Sequence, residues 1–101
     1  MSIEDQEQLL LDTVEKVQHI NDDYTTLIIM MYELGDMVKM FCYARRYETP
    51  EYLIEAKISL SDIIAQAVLL CKQMGWNFKD IKSLGIERCI EKINRRLSKG
   101  E

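Results

Sequence analysis

The sequence predicts an all-α fold, on three observations. Only four glycines and one proline occur in 101 residues, too few for a turn-rich β fold. Apolar residues recur at helical spacing, and the breaks between those stretches carry helix-start and helix-stop signals. Ser2-Ile3-Glu4-Asp5 reads as a capping box, with Ser2 as N-cap and Asp5 reaching back. The first helix then shows a narrow stripe of Leu10, Val14, Val17 and Ile20. Asn21-Asp22-Asp23 supplies the next cap, and a second helix is expected from about Tyr24 to Tyr47. Glu48-Thr49-Pro50-Glu51 is the clearest break: Thr49 can cap, Pro50 suits the first helical position, and Glu51 lies at the positive end of the dipole. The third helix should run to about Met74, stopped by Gly75. Asn77-Phe78-Lys79-Asp80 starts a fourth, carrying Ile81, Leu84, Cys89, Ile90, Ile93 and Leu97.

Short connections make sequential helices antiparallel neighbours, so the expected architecture is a four-helix bundle forming one domain over residues 1–101. Helices 2 and 3 are apolar nearly all round, which calls for burial on every side. A chain this short has too little of its own to cover them. An oligomer follows as the expectation, a homodimer most simply, with a homotetramer also open.

Composition removes several functional classes. With 48% hydrophobic and 30% charged residues the chain belongs with folded proteins rather than disordered ones. A net charge of −4 argues against general nucleic-acid binding. The longest apolar run, Leu27 to Tyr32, falls far short of the roughly 20 residues that span a bilayer. No signal peptide is read at the N-terminus, so a cytoplasmic location is expected. The three cysteines, Cys42, Cys71 and Cys89, lie in apolar helical patterns and read as buried free thiols. The single histidine, His19, lacks the Glu-x-x-His partners of a di-iron bundle.

Acidic residues interrupt the two most apolar helices. Between Leu27 and Ala44 the charges are Glu33, Asp36 and Lys39, and the two acids lie roughly 60° apart on a helical wheel. Asp62 is the only charge in residues 58–71 and shares a face with Glu55, Ser59 and Gln66. A buried carboxylate needs a partner. Oxygen ligands without His or Cys favour a hard cation, Mg²⁺ or Mn²⁺. The plainer reading pairs these acids with Lys39, Arg45 or Lys57, or lets them edge into water. Gly35, in mid-helix between Glu33 and Asp36, fits the close approach of another helix or a ligand, or is simply a tolerated small residue. Arg88, Lys92 and Arg95 recur on one face of the fourth helix beside Asn94, a face suited to phosphates or to plain surface charge. Tyr24, Tyr32, Tyr43 and Trp76 can stack on a base, although aromatic residues at helical spacing more often pack in a core.

Glu33-Leu34-Gly35-Asp36, Ser59-Leu60-Ser61-Asp62-Ile63 and Lys92-Ile93-Asn94-Arg95-Arg96 together resemble the MazG family of all-α nucleoside triphosphate pyrophosphohydrolases. The likeness runs over about residues 20–97. It implies a Mg²⁺-dependent cleavage between the α- and β-phosphates, giving a nucleoside monophosphate and pyrophosphate. Glu33, Asp36 and Asp62 would be the metal ligands and catalytic acids. Lys92, Asn94 and Arg95 would contact the nucleotide. The departure is Ser59, which stands where the family has a carboxylate. Glu55, one turn earlier, is the candidate substitute ligand. Two readings therefore follow: an active hydrolase, or a non-catalytic MazG-fold module that binds nucleotide or a protein partner.

Overall fold

The computed structural model describes residues 2–16 and 22–100. Four helices follow in order: α1 (Ile3–Glu15), α2 (Asp23–Arg46), α3 (Tyr52–Met74) and α4 (Phe78–Ser98). No strand occurs among the described residues, as the sequence predicts. Val17, His19, Ile20 and Asn21 lie outside the described residues.

The predicted boundaries rest on visible chemistry. Ser2 Oγ accepts from the Asp5 amide at 3.1 Å, Asp22 from the Thr25 amide at 2.9 Å, and Asn77 from the Asp80 amide at 3.1 Å. Each satisfies an N–H that a helix start leaves orphaned. Gly75 ends α3 in the left-handed region (φ 74°), and the Trp76 amide returns to the Cys71 carbonyl at 2.7 Å. The α2–α3 turn departs from expectation. Thr49 does not cap α3, because its hydroxyl donates to the Tyr47 carbonyl at 3.0 Å. Glu48 takes the left-handed conformation instead (φ 51°), and the Thr49 amide closes back on the Ala44 carbonyl at 3.1 Å.

Helices α2 and α3 form an antiparallel pair. Thr26 meets Gln73 at one end, and the Tyr43 and Tyr52 rings meet edge to face at 5.5 Å beside the turn. Thr26 is fully buried. Its hydroxyl lies 3.0 Å from the Asp22 carbonyl and 2.9 Å from Gln73 Oε1, one proton shared between two acceptors. Thr26→Val keeps the shape and removes the hydroxyl. It should cost about 0.5–1.5 kcal/mol through the lost hydrogen bonding of the buried hydroxyl, measurable as a lower urea midpoint at unchanged slope.

Packing is uneven beyond that pair. α1 touches α3 as lightly as α4 does but buries Val14, while the buried side chains of α3 are Ala56, Ser59, Val68, Leu69 and Cys71. α4 touches α3 only slightly, and every residue from 79 to 100 is exposed. The Lys79–Glu4 ion pair, 3.3 Å long and exposed at both ends, adds little. Cys71 is a buried free thiol as expected, but Cys42 and Cys89 are exposed. Among the aromatic residues Tyr24, Tyr32 and Trp76 are exposed and Tyr43 half-buried, so the three do not form a core. The radius of gyration is 16.8 Å, against about 13 Å for a compact domain of this length. The accessible surface is 8146 Å², about 2,200 Å² more than a folded monomer of this mass exposes. No helix among the described residues is long and apolar enough to cross a membrane.

Candidate functional site

The antiparallel pairing brings the predicted acids of α2 and α3 together. Glu33 projects from the middle of α2 toward α3 and is half-buried. Partial burial pushes its carboxyl above the usual range, and the charges of Asp62 and Asp36 push it further. A hydrogen bond between the Asp62 and Glu33 side chains adds a smaller push in the same direction. Two acids from different helices thus face each other, with a third one turn along.

The burial expected of these acids is not what the packing produces. Glu33 and Asp36 are half-buried, whereas Asp62 and Glu55 are exposed. A two-helix pair has open flanks, and a residue off the line of contact sits at the rim rather than in a core. Burial alone therefore does not force a cation on these acids. The remaining pressure is mutual repulsion at Glu33. The cationic pairings considered for these acids do not form either. Lys39 lies over the Tyr43 ring at 5.6 Å, and Lys79–Glu4 is the ion pair found among the described residues.

Ser59 is buried in the α2–α3 contact, on the same side of α3 as half-buried Gln66. The Gln66 side-chain oxygen is buried with no hydrogen-bond partner among the described residues. Such an atom calls for a donor or a cation. The spacing Ser59, Asp62, Gln66 puts Gln66 on the acid face, the one signal in the sequence that marks it. Among the described residues no three His, Cys, Asp or Glu side chains close on one point at metal-ligating spacing. The donor set around Glu33 is nonetheless all oxygen, the chemistry of Mg²⁺ rather than of zinc.

Lys92, Asn94 and Arg95 are exposed on α4, where Lys92 and Arg95 line a shallow basic depression with Arg96 and Lys99. Gly35 has open space where a Cβ would stand, so nothing within the protomer approaches it closely. No family model matches the chain, and no curated protein or solved structure matches it either.

Proposed function

We propose that the chain is a Mg²⁺-dependent nucleoside triphosphate pyrophosphohydrolase of the MazG type, cleaving between the α- and β-phosphates. The observation that supports this most is the meeting of Glu33 with Asp62 and Asp36, three acids with no salt bridge to a cationic side chain among the described residues. In this reading Glu33, Asp36 and Asp62 hold Mg²⁺, or Mn²⁺ in its place. Ser59 and Glu55 are further oxygen donors on the same face of α3. When bound, the metal neutralises triphosphate charge and lowers the pKa of a water, making it a nucleophile at neutral pH. Lys92, Asn94 and Arg95 are the phosphate-side groups, two of them cations with ordinary phosphate-binding chemistry.

The second reading, a non-catalytic module of the same fold, draws on Ser59 and Glu55. Ser59 brings no charge to the position where a carboxylate is expected, and Glu55 is exposed. A thermal-shift titration separates the two. Mg²⁺ at tenfold its Kd adds about 1.4 kcal/mol to the native state, a rise of several degrees in a domain this size. The hydrolase reading expects that rise with Mg²⁺ and Mn²⁺, enlarged by nucleoside triphosphate. No shift at millimolar metal, with or without nucleotide, would leave the non-catalytic reading.

A further inference from the structure

The back of α2, turned away from α3, carries an uncovered apolar stripe. Ile28, Met31, Gly35, Val38 and Cys42 fall within roughly 80° of one another on the helix, at the alternating spacing of three and four that forms a packing seam. All five are exposed, Met31 at 74% and Ile28 at 65%. The stripe centre lies roughly 180° from Glu33, so this face is separate from the acid site.

The geometry points to a second copy of this chain as the occupant, its own α2 crossing antiparallel at Gly35. Three observations carry the choice. Gly35 stands at the middle of the 24-residue α2, with Ile28 and Cys42 seven residues to either side and Met31 and Val38 four before and three after. A two-fold axis through Gly35 therefore lays the stripe on itself, Ile28 against Cys42 of the partner subunit. Second, the open space at the Gly35 Cβ position gives the room that close approach of another backbone uses. Third, α2 begins with Asp23 and ends with Arg45 and Arg46. An antiparallel crossing sets Asp23 of one copy toward Arg46 of the partner subunit and opposes the helix dipoles, whereas a parallel one sets like charges together. The chain as a whole exposes about 2,200 Å² more than a folded monomer of its mass, above the roughly 800 Å² per partner of a standard interface, and the α2 stripe is part of that excess. Surface remains for α4, whose Ile86, Ile90, Ile93 and Leu97 are also exposed.

The test is site-directed disulfide formation in a Cys89→Ser background, beside the solution mass. Light scattering at micromolar concentration should give twice 11.9 kDa, or a higher even multiple. Gly35→Cys should form a covalent dimer on mild oxidation, because the two positions meet on the axis. Ile28→Cys should also link, through native Cys42 of the partner subunit, and the link should vanish with Cys42→Ser. Native Cys42 should not link to itself, since the two copies lie about 21 Å apart at 1.5 Å per residue, beyond disulfide reach. A monomer at micromolar concentration overturns the proposal. So does an oligomer that links at neither position, which would place the contact on α4. An Ile28→Cys link that survives Cys42→Ser overturns the antiparallel crossing. None of these outcomes depends on Mg²⁺ or hydrolysis.

Discussion

Replacing Glu33 with Gln should raise the melting temperature at neutral pH in metal-free buffer and, under the proposed function, should remove the stabilisation expected from Mg²⁺. The first effect follows from the raised pKa. Folding brings Glu33 into partial burial beside Asp62 and Asp36, so the folded chain holds that proton more tightly than the unfolded one, whose carboxyl titrates near 4.5. Below 4.5 Glu33 is protonated in both states and costs nothing. As pH rises through 4.5 and past the folded value, the unfolded state ionises first and stability falls. Gln carries no proton to lose, so its advantage is full above the folded pKa, fades as pH falls from there toward 4.5, and is gone below 4.5. The second effect follows from the proposed role as ligand: Mg²⁺ loses the group whose repulsion it relieves. Melting curves from acid to neutral pH, with and without Mg²⁺, check both. A variant less stable than the native chain at neutral pH would show that the three acids do not repel one another there.

Leu69→Ala should be the most damaging single truncation. The buried apolar side chains of the described residues are Val14, Ala56, Val68, Leu69 and Cys71, and Leu69, 4% exposed, is the bulkiest. Removing it costs about 2–5 kcal/mol, the lost transfer energy plus a cavity that only partly collapses. A chain with so small a core has stability at the low end of the usual range, of about 5 kcal/mol. Urea denaturation should therefore show a midpoint shifted to a small fraction of the native value. A loss below about 1 kcal/mol would mean that Leu69 is not packed as closely as its 4% exposure implies.

Helix boundaries were the most legible part of the fold, because caps are local. Ser2, Asp22, Asn77 and Gly75 act within four residues of themselves, and all four do what their positions predict. Thr49 failed as a cap because a left-handed Glu48 was the unseen alternative, a conformation that disfavours a residue with a Cβ and so leaves no trace in sequence. The Thr26–Gln73 contact was illegible for the opposite reason, since its partners lie 47 residues apart. The meeting of Glu33 with Asp62 was readable from the charge-poor helices around them. Their exposure was not: a wheel shows which residues share a face, not how far the neighbouring helix covers it. Apolar surface all round α2 and α3 likewise predicted burial, and within one chain much of it stays exposed, which is what directs attention to a second copy.

The proposed chemistry stands or falls on the products of one reaction. Nucleoside triphosphate incubated with the chain and Mg²⁺, then separated by anion exchange, should yield nucleoside monophosphate and pyrophosphate in equal amounts, with none formed under chelator or by the Glu33→Gln variant. Intact triphosphate after prolonged incubation across all common bases, or release of inorganic phosphate and a diphosphate instead, would contradict it.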